Sequence, residues 1–189
     1  MKKYKTILAD PPWMETGGGR IKRGADRHYP LMKTKDICSL SIIPEIRADD
    51  CHLYLWVTNN HLPDGLKVMD AWGFRYITII TWLKDKIGLG QYFRGITEHC
   101  LFGVRGNLPY QTLIDGKRAQ GKTGFTAKRG AHSVKPLDMR LMIERVSYPP
   151  RIELFARQQR KGWDCWGNEM AAYLLSLEFP RRDMECHEG

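Results

Sequence analysis

A carboxylate, two prolines and a tryptophan follow one another as Asp10-Pro11-Pro12-Trp13, directly after the apolar run from Thr6 to Ala9. Such a run is typical of a buried strand, whose carboxyl end is where open α/β sheets bind ligands. The carboxylate and a freed backbone carbonyl would accept the two N–H bonds of an amine, and the indole would stack on its ring. The tetrad therefore predicts a site for a planar, amine-bearing ring. The alternative is a proline turn in which Trp13 is only a core residue.

Two later clusters supply groups that suit a charged cofactor. The first cluster, Ser133-Val134-Lys135-Pro136, precedes a helical pattern. The second consists of the run Ile152 to Arg157 and the short segment 162–169 that follows it. Lys135 or Arg157 would bind a carboxylate, and Asn168 and Glu169 would accept from ribose hydroxyls just past a strand end. Taken singly, each side chain is more often a surface charge or part of an ordinary ion pair.

The spacing of apolar residues predicts the elements that position these groups. Strand patterns lie over 51–58, 74–82, 99–104, 151–156 and 162–167, and helical patterns lie over 34–40, 61–72 and 137–146. This alternation predicts one α/β domain over residues 1–189, with a doubly wound, mostly parallel sheet. A short strand over 111–114, a helix over 171–179 and a disordered tail over 181–189 are also expected.

Basic, glycine-containing stretches over 14–36 and 106–132 are expected to be mobile loops. The first leaves from the Trp13 end of its strand, so it would hang over the same edge of the sheet. Without a Gly-Lys-Ser/Thr sequence it does not favour a phosphate-binding loop. The net charge of +9, from 30 Lys and Arg against 21 Asp and Glu, fits a polyanionic partner. The residues expected to contact phosphates are Arg20, Lys22, Arg23, Arg27, Lys117, Arg118, Lys128 and Arg129.

Other classes of protein are disfavoured by the composition. No apolar segment is long enough to span a membrane, and no signal-peptide core follows the basic N-terminus. A cytoplasmic protein is therefore expected, or a nuclear one if the source is eukaryotic. The five cysteines are widely spaced without a C-x-x-C pair. Free thiols in a reducing compartment, and no metal site, are therefore expected.

The order of these motifs resembles that of one family along nearly the whole chain, from about Lys5 to Glu169. The strings are D-P-P-W, L-Y-L-W-V-T, E-H-C-L, S-x-K-P, I-E-L-F-A-R and G-N-E. The family is that of the adenine-N6 methyltransferases related to the catalytic subunit of the eukaryotic messenger-RNA adenosine methyltransferase, with many short bacterial and phage members. The resemblance implies a Rossmann-like fold with a permuted motif order and S-adenosylmethionine as the methyl donor.

By this resemblance the tetrad forms the target-base site, with Tyr29 near it in the first loop. Asp10 and the Pro11 carbonyl would hold the amine, the methyl group would transfer in line, and either Asp10 or water would take the proton. DNA is favoured as substrate because the chain is short and carries no appended RNA-binding module. RNA methylation and a non-catalytic nucleic-acid-binding subunit are the alternatives, and homo- or hetero-oligomers are compatible with either. The implied cofactor residues are Asp10, Lys135, Phe155, Arg157, Asn168 and Glu169.

Overall fold

The strand that ends directly before Asp10 lies near the middle of a seven-stranded sheet. The structure is a computed structural model, and it describes residues 1–14, 31–88, 90, 92–130, 134–156 and 159–167. The strands are β1 (Tyr4–Ala9), β2 (Arg47–Val57), β3 (Arg75–Lys84), β4 (Thr97–Arg105), β5 (Gly124–Ala127), β6 (Arg151–Leu154) and β7 (Asp164–Trp166). The helices are α1 (Thr34–Cys38), α2 (Ile42–Ile46), α3 (Leu62–Ala71) and α4 (Leu137–Val146), with a 3₁₀ turn at Asn59–His61.

The sheet order is β5-β3-β4-β2-β1-β6-β7. β1 is parallel to β2 and β6, β6 to β7, and β3 to β5, whereas β4 is antiparallel to both of its neighbours. The carboxyl ends of every described strand except β4 therefore meet at one edge of the sheet, which we call the Asp10 edge. This architecture confirms the predicted mostly parallel α/β class, while the permuted motif order stays a prediction.

Side chains of β1 alternate between two cores, as the pleat of a strand requires. Ile7 and Ala9 point into a cluster with residues of α1 and α3, including Trp72 just beyond α3, whereas Leu8 points into a second cluster with Met139 and Ile143 of α4. Because helices cover both faces, the strands read as continuous apolar runs. β1 is thus held from both sides, which fixes the position at which Asp10 leaves the sheet.

Three local features of the structure differ from the predictions. Residues 111–114 form no strand but one isolated bridge, Thr112 to Arg118, and a strand forms instead at Gly124–Ala127, inside the stretch predicted as a loop. That strand has only four residues, too few for an apolar alternation to stand out. Helix α2 was not predicted. Its Pro44 lies in the first turn, where the missing N–H costs no helical hydrogen bond.

The expected helix over 171–179, the tail over 181–189 and residues 15–30 of the first loop lie outside the described residues. Within the described ranges, none of the helices is long and apolar enough to cross a membrane.

Candidate active site

Asp10 and the residues after it are fixed by backbone hydrogen bonds. The Asp10 N–H points to Leu154 O of β6 at 3.5 Å, and Trp13 N donates to Pro11 O at 2.9 Å. Met32 N donates to Pro12 O at 2.8 Å, and Met14 N donates back to Met32 O at 3.0 Å. The exit from β1 is therefore a tight, clamped turn. Pro11 O already accepts one hydrogen bond and has one lone pair left for a ligand.

Trp13 packs as a core residue in this structure, with 7% of its surface exposed. Its indole N–H donates to Trp56 O at 3.0 Å, and its ring lies on the His61 ring with 5.4 Å between centroids. His61 in turn contacts Met14 O through Nε2 at 3.1 Å. Trp13 thus holds the turn against β2, and its predicted contact with a substrate base stays a prediction.

A chain of alternating charges crosses the Asp10 edge, formed by Asp10, Lys135, Glu98 and Lys84. Lys135 Nζ donates to Asp10 Oδ2 at 2.6 Å and lies 3.0 Å from Glu98 Oε1. Lys84 Nζ lies 2.8 Å from Glu98 Oε2. The side chains are between 14% and 24% exposed. We call these four residues the ion-pair chain.

Burial and charge act in opposite directions within the ion-pair chain. Burial lowers the pKa of Lys135, but Asp10 and Glu98 outweigh it and hold that pKa above its ordinary value. Burial likewise raises the pKa of Glu98, but Lys135 and Lys84 outweigh it and hold that pKa below its usual range. Lys135 also lies over the Trp56 ring, 5.3 Å from the centroid. The lysine is therefore a fixed cation between two fixed carboxylates.

An open cleft beside the ion-pair chain lies between the ends of β1 and β6 and the start of α4. It is lined by Asp10, Trp56, Lys135, Glu153, Phe155 and Arg160, among others. Phe155 enters it from a turn with φ of 61°, which is unusual for a bulky residue. The turn is tightly packed, because a Cβ on Gly167 would lie 2.1 Å from Ala156 O. Only glycine fits there, which accounts for the glycine of the G-N-E string.

Glu153 gives the cleft an acceptor without a donor. Its Oε2 atom is buried and has no hydrogen-bond partner among the described residues, and the Arg160 Nε atom lies 4.0 Å away. Burial raises the pKa of Glu153 above its ordinary value, despite Arg160 and Arg140 nearby. A ligand with hydroxyl or ammonium donors would satisfy this carboxylate.

We expect Glu153→Gln to stabilise the ligand-free protein by about 1 kcal/mol at pH 8, since it removes a poorly satisfied buried charge. A carboxyl whose pKa is raised by folding destabilises the native state once pH exceeds its folded pKa. The gain should therefore shrink as pH falls towards about 4, where the carboxyl is protonated in the folded state and mostly protonated in the unfolded state. Urea unfolding at both pH values measures it, with exposed Glu45→Gln as the control. An equal or lower stability of Glu153→Gln at pH 8 would contradict this assignment.

The structure brings three of the predicted site residues together, namely Asp10, Lys135 and Phe155. The cleft region also contains residues that were not selected from the sequence, among them Glu98, Trp56, Glu153 and Arg160. Glu98 opens the E-H-C-L string, and a charged residue at the start of a buried strand was the available signal. The predicted residues outside the described part of the chain are Arg20, Lys22, Arg23, Arg27, Tyr29, Arg157, Asn168 and Glu169.

The two basic groups of the second predicted loop lie at opposite edges of the sheet. Lys117 and Arg118 directly precede Ala119, whose N–H donates to Gln111 O. The Gln111 N–H in turn donates to Val146 O, at the end of α4 from which the chain turns into β6. They therefore lie at the amino ends of the parallel strands. Lys128 and Arg129 instead follow the carboxyl end of β5, where Arg129 N donates to Asp85 Oδ1 at 2.7 Å. Only this second pair lies at the Asp10 edge.

No group of three or more His, Cys, Asp and Glu side chains in the described ranges is arranged to hold a metal ion. The charged and aromatic side chains that line the cleft are carboxylates, cations and rings. These suit a ligand that carries both charges and hydroxyls.

Comparison with known proteins identifies the family of this chain. The sequence model of the MT-A70 family matches residues 4–169. Type II methyltransferase M.MunI from Mycoplasma sp is 33% identical, over 89% of this chain and 78% of that protein. The human N(6)-adenosine-methyltransferase catalytic subunit METTL3 is 31% identical over 89% of this chain, and the Arabidopsis thaliana MT-A70-like protein 28% over 93%. The chain spans only 28% and 25% of the length of those two eukaryotic relatives. With its motifs in the expected order over most of its length, the chain belongs to the MT-A70 family of methyltransferases.

Proposed function

We propose that this protein transfers a methyl group from S-adenosylmethionine to the N6 amine of adenine in DNA. The observation that carries the proposal is the Asp10 carboxylate at the carboxyl end of β1, held by Lys135 at 2.6 Å beside an open cleft. A carboxylate fixed in this way accepts a hydrogen bond from an amine without reorganising. Similarity to a type II methyltransferase over most of both chains favours DNA over RNA.

The cleft fits the proposed cofactor. S-adenosylmethionine supplies an electrophilic methyl group on a positively charged sulfur, together with an amino group, a carboxylate and ribose hydroxyls. The Glu153 Oε2 atom, which has no hydrogen-bond partner among the described residues, is an acceptor for one of its donors. The acidic lining of Asp10 and Glu153 suits its positive charge. We propose that Lys135, Phe155, Arg157, Asn168 and Glu169 also contribute to its binding, with Lys135 or Arg157 facing the carboxylate.

The chemistry asked of Asp10 is to make a poor nucleophile better placed and more reactive. The lone pair of the adenine amine is delocalised into the ring, and accepting its N–H bonds favours a tetrahedral nitrogen with a localised lone pair. Asp10 Oδ2 is engaged by Lys135, so we assign Oδ1 and the second lone pair of Pro11 O to the amine. Positioning supplies most of the rate in such a transfer. In duplex DNA the adenine has to be flipped out of the stack first.

The substrate class is tested by transfer of a tritiated methyl group to single-stranded DNA, duplex DNA and RNA of one sequence. The proposal predicts incorporation into DNA at a higher rate than into RNA. Preferential incorporation into RNA would establish the second candidate, which the similarity to METTL3 favours. Binding of oligonucleotide with neither methyl transfer nor calorimetric binding of S-adenosylmethionine would leave a non-catalytic subunit.

The position of Lys128 and Arg129 at the Asp10 edge predicts that they contact DNA phosphates. Replacing both by Gln should flatten the slope of log affinity against log salt by roughly 1.4 to 1.8, because each lost phosphate contact contributes roughly 0.7 to 0.9. Lys117→Gln with Arg118→Gln removes the same charge at the opposite edge and should change the slope less. Equal changes in the two double variants would show that only net charge matters. Fluorescence anisotropy with labelled DNA at several salt concentrations gives both slopes.

A further inference from the structure

We infer that the hairpin between β3 and β4 carries a stacking surface for nucleic-acid bases, formed by Tyr92 and Phe93. The inference rests on the proposed function and adds to it a contact with the bases beside the target adenine. The two adjacent rings are 93% and 92% exposed. Large rings this exposed are costly in water unless a partner covers them, and they are not explained by packing within the chain.

The hairpin is built so that these rings stay outside the protein. Lys84 N donates to Ile96 O and Gly88 N donates to Gly95 O, both at 2.7 Å, which closes the base of the turn. Arg94 Nε donates across it to Gly88 O at 3.0 Å. A Cβ on Gly90 would lie 1.9 Å from Phe93 O, so the turn requires glycine at this point. These contacts keep the turn tight, and both rings project into solvent from it.

The hairpin also lies where a bound nucleic acid has to pass. It joins the carboxyl end of β3 to the amino end of β4, at the Asp10 edge. Glu98, the second residue of β4, is ion-paired through Lys135 to Asp10. Phe93 precedes Glu98 by five residues, which span at most about 18 Å when extended. At about 3.4 Å per nucleotide, this reaches roughly five steps along a strand.

The charges around the rings indicate which partner they take. Lys86 and Arg94 flank them and are exposed, and Lys128 and Arg129 lie beside the base of the hairpin through the Arg129 contact to Asp85. Asp85 is the only acidic residue in the sequence from Asp85 to Thr97. Aromatic rings flanked by cations are the combination with which proteins bind single strands, whereas a second copy of this chain would bring a further charge of +9. Nucleic acid is therefore favoured over self-association.

The experiment compares Tyr92→Ala with Phe93→Ala, singly and together, in the full chain. We expect the affinity for single-stranded DNA to fall roughly ten-fold for each ring removed. The salt dependence should keep its slope, because no phosphate contact is lost. Tyr92→Phe and Phe93→Tyr each keep an aromatic ring and should bind single-stranded DNA with the wild-type affinity. Ile114→Ala removes an equally exposed apolar side chain from the segment at the opposite edge and is the matched control.

Three results would overturn the inference. The first is an unchanged DNA affinity in the double alanine variant while the wild type binds and methylates DNA, which leaves the proposed function intact. The second is a loss of self-association, measured by analytical ultracentrifugation, without a loss of DNA affinity, which would assign the rings to a protein interface. The third is a wild-type protein that binds no nucleic acid under any salt condition, in which case the proposed function fails as well.

Discussion

Replacement of Asp10 by Asn is expected to lower the rate of methyl transfer by roughly 10² to 10⁴, the range found when a positioned acceptor or base is removed. The amide keeps the size of the carboxylate but loses its charge, and its NH₂ group would oppose the N–H bonds of the substrate amine. The protein should remain folded, because Lys135 keeps Glu98 as its partner at 3.0 Å. Single-turnover transfer to a saturating oligonucleotide measures the chemical step directly.

The control for this variant is Asp70→Asn, which removes an exposed carboxylate of α3 away from the Asp10 edge. It should transfer methyl groups at the wild-type rate. Turnover by Asp10→Asn within a factor of about three of that control would rule out the role assigned to Asp10.

Lys135→Gln is expected to produce the largest loss of stability, about 3 kcal/mol at pH 8, because it leaves two partly buried carboxylates without their shared cation. The loss should be smaller near pH 4. A carboxyl whose pKa is lowered by folding, as that of Glu98 is, contributes stability that is present above its unfolded pKa and lost as pH falls through the folded value. In Lys135→Gln, the stability contributed by Glu98 at pH 8 is reduced. Near pH 4, protonation of Glu98 relieves its repulsion with Asp10 in the variant.

Urea unfolding of Lys135→Gln at pH 8 and pH 4 measures this difference, with the exposed Lys67→Gln as the control. Lys67 has one acidic partner, Asp64, and its removal should cost less than about 1 kcal/mol at either pH. A loss for Lys135→Gln that is equal at both pH values would mean that the ion-pair chain does not hold the site together. Weaker binding of S-adenosylmethionine by the same variant is also predicted, because the lysine faces the cleft.

The elements that carry the site were predictable from the sequence wherever an apolar pattern was long enough to have a period. β1 reads as an apolar run ended by prolines, and α4 was predicted with its observed bounds of Leu137–Val146. β5 was not predicted, because its four residues are held mainly by pairing with β3, which no local pattern reports. The partners in the ion-pair chain could not be predicted from a local pattern either, because Asp10 and Lys135 are 125 residues apart.

Residue chemistry was predictable at Asp10 and Lys135, and their environment was not. The pattern placed Asp10 at a strand end and Lys135 before a helix, but it gave no reason for Glu98 to join them. Trp13 is an aromatic residue that the sequence reading assigned to a substrate base, while the structure shows its indole N–H and one ring face used by Trp56 and His61. Only the fold shows that Lys117 and Lys128 lie at opposite edges of the sheet.

The central claim is that the Asp10 cleft methylates the exocyclic amine of adenine. The most direct test is to incubate the protein with S-adenosylmethionine and a DNA oligonucleotide, digest the product and identify the methylated nucleoside by mass spectrometry. The account predicts N6-methyldeoxyadenosine with the wild-type protein and, over the same reaction time, roughly a hundred-fold less or lower still with Asp10→Asn. Methylation of cytosine or of an adenine ring nitrogen, or N6-methyldeoxyadenosine formed equally by Asp10→Asn, would contradict it.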